Sequence, residues 1–222
     1  MHPRNGNSQS ALTLFEVLIV IAILLLTAIL ILPRLARSRI TARRSQCINN
    51  LRQVGLEFRA WAMDNDNHFP MSISITNGGT REFGSQGGVY AHFLALSNYL
   101  SAPKMLACSE DKTRRQATNF STGFGEVNIS YFVNLDAAAA NPLMLLSGDR
   151  NITNGTMLPN RILELRSNSK AGWTEKIHEL RGNIAFSDGG VREVDTTRFR
   201  EVLSNAGTFT NRLAMPLDSL QP

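Results

Sequence analysis

A dense apolar run fills residues 12–32, and a longer segment with apolar residues every three or four positions follows it. Sixteen of the 21 residues in the run are Leu, Ile, Val or Phe, and Glu16 is its one ionisable side chain. In helical geometry the run spans about 31 Å, close to the hydrocarbon thickness of a bilayer. Because the large apolar side chains outweigh one carboxylate on insertion scales, the pattern predicts a transmembrane helix over 12–33.

Helical spacing continues after Pro33, where we expect a kink or a break because proline removes a backbone hydrogen bond. Apolar residues then recur three or four apart on one face, which predicts an amphipathic continuation of the helix over 34–64. The polar stretch Asp64-Asn65-Asp66-Asn67 ends this pattern, so the head domain should occupy 65–222.

The rest of the chain shows the period-two alternation of strands with one buried face, most clearly over 127–135. A hairpin is predicted over 183–194, because Asp188-Gly189 at its centre tolerates the positive φ of a type I′ turn. A long helix followed by antiparallel strands makes the predicted fold class α+β, with the helix packed against a small antiparallel β-sheet head domain. The other predicted elements are strands at 71–76 and 143–146 and helices at 89–100 and 197–206, the last closed by Gly207.

The basic excess of the chain lies next to the apolar run. The formal net charge is +5, yet seven of the 23 basic residues lie at or before Arg52, and the chain after it carries 16 basic and 17 acidic residues. A pI near 9.7 would ordinarily suggest a nucleic-acid partner, but arginines that flank an apolar segment commonly meet lipid headgroups. The arginine-rich stretch 34–44 also lacks interleaved aromatic residues, so we expect no nucleic-acid partner.

A cleaved secretory signal is the alternative interpretation of the apolar run. Signal peptides have apolar cores of about 7 to 15 residues followed by a small-x-small cleavage site. The run here is longer, and Pro33, Arg34 and Arg37 occupy the place of that site. A retained helix is therefore the better prediction.

The two cysteines, Cys47 and Cys108, exclude Cys-cluster zinc sites and disulfide-dense scaffolds. Their spacing of 61 residues fits one disulfide in an extracytoplasmic domain, and it fits two buried free thiols as well. No catalytic motif with a recognised spacing occurs, and the four histidines form no adjacent metal pair. We therefore predict neither an enzyme nor a metal site.

The stretch Ala11-Leu12-Thr13-Leu14-Phe15-Glu16-Val17-Leu18-Ile19-Val20 resembles the class III signal of type IV pilins and type II secretion pseudopilins. The resemblance implies that residues 1–11 are a leader, which prepilin peptidase removes between Ala11 and Leu12 before Leu12 is N-methylated. Glu16 then becomes the fifth mature residue, and Pro33 lies where many pilin helices carry proline. The departures from the common pattern are Ala11 for Gly and Leu12 for Phe.

Two further stretches resemble a bacterial prepilin-like subfamily. The first is Cys47-Ile48-Asn49-Asn50-Leu51-Arg52-Gln53-Val54-Gly55-Leu56, which continues to His68-Phe69-Pro70. The second is a histidine followed after nine residues by Asp-Gly, here His178 and Asp188-Gly189. A turn at Arg181-Gly182 would bring His178 and Asp188 together as a structural pair. Because some pseudopilins bind calcium, Asp188 with loop carbonyls is a candidate calcium site, although further acidic ligands are missing; no other cofactor is implied.

The resemblance implies a pilin-like fold and a structural function. The protein would be a pseudopilin or minor pilin precursor in the bacterial inner membrane, single-pass, with its head domain in the periplasm or in an extracellular filament. Its partners would be prepilin peptidase, copies of itself or other pilins, and the inner-membrane assembly machinery. Glu16 would pair with the new amine of a neighbouring subunit.

Two considerations compete with that assignment. Five arginines over 34–44 favour a cytoplasmic location for that side by the positive-inside rule, but this rule is statistical and we give the motif precedence. The alternative function is a non-polymerising, single-pass, membrane-anchored extracytoplasmic binding domain.

Overall fold

The computed structural model describes residues 14–86 and 88–217. The chain divides into two compact units, residues 1–42 and 43–222. The first unit is helical wherever it is described, and the second carries an antiparallel sheet. An apolar N-terminal helix and this sheet make the layout α+β.

Helix α1 (Leu14–Met63) begins inside the apolar run and is one continuous helix through Pro33, so the chain has no break there. Its segment Leu14–Leu32 has 19 residues, a mean hydropathy of 3.1, and no buried residue. Among residues 14–86 and 88–217, this is the one helix long and apolar enough to cross a membrane. The side chain of Pro33 is not described, and the kink stays a prediction.

Within the second unit, one face of α1 is packed into the core of the head domain. Cys47, Leu51, Val54, Phe58 and Trp61 are buried, at the three- and four-residue spacing that keeps side chains on one side of a helix. This is the apolar face that the amphipathic pattern predicts. The helix ends before a polar turn in which Asp66 and Asn67 have positive φ.

The head domain is built on strands that pair antiparallel throughout. Its described residues contain β1 (Tyr131–Asn134), β2 (Leu145–Asp149), β3 (Ile152–Thr153), β4 (Thr156–Leu158), β5 (Ile162–Arg166), β6 (Gly172–Trp173), β7 (Arg181–Phe186), β8 (Val191–Asp195) and β9 (Thr210–Ala214). Seven of these form one sheet in the order β4-β5-β9-β1-β2-β7-β8, and β3 pairs separately with β6. The shorter helices are α2 (Phe83–Gln86), α3 (Tyr90–Leu94) and α4 (Thr196–Asn205).

The large sheet is covered on both faces. On one face, Tyr131 of β1 joins a core cluster with Val54 and Phe58 of α1. On the other face, Phe132 of β1 belongs to a cluster that contains Phe199 of α4. All four residues of β1 are therefore buried, and the alternation predicted over 127–135 corresponds to two covered faces rather than to one.

The hairpin predicted over 183–194 is confirmed, because β7 pairs with β8 and Arg181 lies opposite Asp195. Its turn is not type I′, since only Gly189 of the Asp-Gly pair has a positive φ, 86°. The Phe186 N–H donates to the Gly190 carbonyl at 2.9 Å, and the Asp188 carboxylate accepts the Gly190 N–H. The connection is thus a longer loop in which one glycine takes the left-handed position.

Two other predictions fail. Residues 71–76 are not a strand but contain parts of two 3-10 turns, Pro70–Ser72 and Ile75–Asn77. Proline at the start of the first turn cannot donate to a strand ladder. The helix predicted over 89–100 is shortened to α3 and continues as turns.

Candidate functional site

The residues singled out for processing and assembly lie at the start of the chain. Ala11 and Leu12 are outside the described residues. Glu16 lies in the first turn of α1, on the exposed apolar segment Leu14–Leu32. A segment of this composition is stable only where lipid or other apolar surfaces cover it, because exposed contiguous apolar surface is costly in water.

The cysteines predicted as either bridge or thiols form a disulfide. Cys47 of α1 and Cys108 are joined with a Cα–Cα distance of 5.3 Å and a sequence separation of 61. Both residues are buried, at 0% and 2% exposure. The bridge therefore ties α1 covalently to the loop that precedes the sheet.

His178 packs directly on this disulfide. Its Nε2 lies 3.3 Å from the Cys108 Sγ and 3.5 Å from the Asp149 Oδ2, and all three residues are buried. His178, Glu179 and Leu180 are three consecutive residues with positive φ, 55°, 52° and 64°. Non-glycine residues adopt this conformation rarely, and such strain is concentrated at functional sites. A left-handed turn therefore carries the imidazole to the bridge.

Asp149 ends β2 as a fully buried carboxyl group held by Asn183. Its Oδ2 accepts the Asn183 backbone N–H at 2.7 Å and the Asn183 Nδ2 at 2.9 Å. Complete burial raises the pKa of Asp149 to about 7, against the lowering effect of those two hydrogen bonds. Burial also lowers the pKa of His178. Both shifts favour the neutral forms, so the pair is not a strong ion pair.

Two ion pairs connect α1 to the segments that carry Cys108 and His178. Arg43 lies 3.8 Å from Glu110, and Arg44 pairs with Glu179, which follows His178 in the chain. Their side chains are partly exposed, so solvent screening keeps each pair's contribution to stability small. Their position matters more, because both arginines lie about one helical turn before Cys47, and their partners lie close to Cys108 and His178 in sequence.

The two ends of the His-X9-Asp-Gly motif lie at opposite ends of β7. That strand has six residues, or roughly 20 Å, so His178 and Asp188 do not form the pair considered from the sequence. Asp188 is exposed and caps the hairpin loop. Among the described residues, the group of three or more potential metal ligands that lie close together is Cys47, Cys108 and His178, and Asp188 is not part of it.

Each end of the motif nevertheless bears on α1. His178 contacts the cysteine that is bridged to α1, whereas Gly189 lies against Gly55 within α1. A Cβ at Gly55 would be 3.5 Å from the Gly189 Cα, so the backbones are almost in contact. Through these contacts, both ends of the β7 region are linked to α1.

Sequence reasoning missed the partners of these residues. Asp149 and Asn183 are separated from His178 and from each other in sequence, and no spacing rule connects them. The available signal is a carboxylate three residues after the apolar run 143–146, at the end of the same buried strand. A second missed pair is Asp111 with Arg150, whose Nε lies 2.7 Å from the Asp111 Oδ2 in the buried interior.

In comparisons with known proteins, no family model, no curated protein and no solved structure matches the chain.

Proposed function

We propose that this protein is a structural subunit, a pseudopilin or minor pilin, of a type II secretion or type IV pilus-like filament. Prepilin peptidase would remove residues 1–11, and the mature subunit would be held in the bacterial inner membrane before assembly. Its head domain would lie in the periplasm or on the extracellular filament.

The observation that carries the proposal is the exposure of Leu14–Leu32. This segment is helical, has a mean hydropathy of 3.1, and has no buried residue within its own chain. A lipid bilayer satisfies such a surface, and so does the core of a filament made from copies of the same helix. The same helix continues to the buried face at Cys47, so one chain segment links the apolar surface to the head domain.

Glu16 supplies the assembly specificity in this proposal. A carboxylate among apolar helices is costly unless a cation meets it, and cleavage before Leu12 creates an amine four residues away in sequence. The amine of a neighbouring subunit pairs with Glu16 and fixes the axial register of the helices.

The test follows Glu16→Gln in cells that express the full chain. We expect normal removal of residues 1–11 and loss of subunits from sheared or cross-linked filament fractions. Glu175→Gln is the matched control, since it makes the same chemical change at an exposed position of the head domain. Filaments of normal abundance from the Glu16 variant would refute the assembly role.

Mass spectrometry of the mature amino terminus separates this proposal from its rival. An N-methylated Leu12 supports a filament subunit. A population that retains Met1 and stays monomeric in membranes would instead identify a permanently anchored binding domain.

A further inference from the structure

We propose that Cys47, Cys108 and His178 form a binding site for a thiophilic divalent cation such as Zn²⁺ when the disulfide between the two cysteines is open. The site is independent of the filament proposal, because it lies wholly inside the head-domain unit 43–222. In this site His178 is a metal ligand, in addition to its packing against the disulfide.

The geometry places the three ligand atoms around one point. The two Sγ atoms and one imidazole nitrogen lie within 4.8 Å of one another. In a tetrahedral zinc site, with bonds of about 2.3 Å to sulfur and about 2.0–2.1 Å to nitrogen, neighbouring ligand atoms are roughly 3.3–3.8 Å apart. The distance of 3.3 Å between the Cys108 Sγ and the His178 Nε2 already has that value.

Opening the bridge requires only a small movement. The Cα atoms of the cysteines are 5.3 Å apart, and the sulfurs must separate to the spacing of two ligands on one ion. Side-chain rotation about the Cα–Cβ bonds can supply this separation. The helix and the loop that hold the cysteines can therefore stay in place.

The charges also suit a divalent cation. Two thiolates balance the charge of the ion, and the imidazole adds a neutral nitrogen ligand. The carboxyl of Asp149 lies 3.5 Å from the His178 Nε2, but it is not one of the three clustered ligands. Thiolate and imidazole ligands favour zinc over calcium or magnesium, which prefer oxygen.

The two states of the site exclude each other. A dithiol reductant transfers two electrons and two protons to the bridge, which becomes two thiols while the reductant becomes a disulfide. The cation then binds as both thiols release their protons. A newly made chain carries the two thiols before any oxidation, so the metal form needs no reductant there. Its later conversion to the disulfide form releases the ion and transfers two electrons to a disulfide oxidant, which becomes a dithiol.

The test uses the full chain in detergent and Co²⁺ as a spectroscopic probe for a zinc site. After reduction, one equivalent of Co²⁺ should give thiolate-to-cobalt charge-transfer absorption, and Zn²⁺ should displace it. The oxidised protein, which has the same sequence, is the first control and should give no such absorption. Equal binding by the two forms would overturn the proposal, and so would binding without the charge-transfer absorption.

A histidine substitution tests the third ligand. His178→Asn is chosen because asparagine tolerates the left-handed backbone that this position requires. We expect binding of Co²⁺ to the reduced protein to weaken by roughly tenfold or more. His68→Asn, the same change at an exposed histidine in the turn after α1, should leave the affinity unchanged. Far-ultraviolet circular dichroism verifies that each variant is folded, and unchanged affinity in a folded His178 variant contradicts the assignment.

Discussion

Gly189, in the loop between β7 and β8, lies against Gly55 in α1 so closely that a Cβ on Gly55 would be 3.5 Å from the Gly189 Cα. The two glycines differ in backbone conformation. Gly189 has a φ of 86°, which L-residues rarely adopt, whereas Gly55 is in regular helix. The contact therefore predicts unequal effects for the same substitution.

Gly189→Ala should destabilise the head domain by about 1–2 kcal/mol, which is the usual cost of a left-handed conformation for an L-residue. Its Cβ would also lie 3.3 Å from the Leu56 Cδ2. Gly55→Ala should be neutral or stabilising by up to about 1 kcal/mol, because its new contacts are of ordinary length and alanine favours helix. Urea unfolding measures both; equal losses would contradict this account.

Removal of the disulfide should cost about 4 kcal/mol in the chain-entropy model for a separation of 61 residues. Replacement of both Cys47 and Cys108 by serine tests this value by chemical denaturation under non-reducing conditions. The reduced wild type is the comparison, since it lacks the bridge but keeps both sulfur atoms. A double variant as stable as the oxidised protein would show that the bridge contributes no stability.

His92 should make the head domain sensitive to acid. It is buried in α3, its Nδ1 lies 2.8 Å from the Thr80 Oγ1, and burial lowers its pKa to about 4. The unfolded chain, with an ordinary histidine pKa near 6.5, binds a proton that the folded chain excludes. The contribution of the neutral His92 to stability is therefore complete above about pH 6.5 and falls as the pH drops toward 4.

Between pH 7.5 and pH 5.0 this effect amounts to about 2 kcal/mol. His92→Asn should abolish that part of the pH dependence, as measured by the free energy of unfolding at the two pH values. His68→Asn, at an exposed position, should keep the wild-type profile. If the His92 variant keeps the profile too, another group is responsible.

Asp111→Asn should destabilise the fold by about 3–5 kcal/mol, the usual cost of breaking a buried ion pair from one side. Burial alone would raise the pKa of Asp111, but hydrogen bonds and charge from Arg150 hold that pKa below its ordinary value. The variant removes the negative charge of Asp111 from beside the buried Arg150 guanidinium. Glu201→Gln, which removes an exposed pair with Arg198, should cost less than about 1 kcal/mol. Thermal unfolding of the two variants should differ accordingly.

The spacing of apolar and turn residues predicted those elements that bury a single face or contain a recognisable turn. The apolar face of α1 and the hairpin that turns at Asp188-Gly189 follow from residue spacing and turn chemistry, and both are in the structure. The burial of β1 was harder to predict. Tyr131 and Phe132 are buried on opposite faces of the sheet, whereas a period-two pattern predicts one buried face. The region 71–76 misled the prediction, since apolar alternation there accompanies a proline-led turn.

The candidate site could be predicted only in pieces. A sequence motif pointed to His178, and Cys108 was a candidate because the chain has only two cysteines. Their contact depends on a left-handed turn at His178, which residue preferences do not predict. Asp149 joins them through sheet register, with Tyr131 as its cross-strand neighbour. Distances across a fold arise from the packing of all elements, so sequence spacing alone did not reveal this cluster.

The cross-link between α1 and the loop at Cys108 also sets how the protein bears mechanical load. Tension applied through residues 14–42 reaches Cys47 and crosses the sulfur–sulfur bond directly into the chain at Cys108. The intervening segment 48–107 has its ends tied together, so it cannot be drawn out while the bond holds. Under tension the disulfide would therefore carry the force, and segment 48–107 would not be extended. Reduction of this one bond would make the segment extensible.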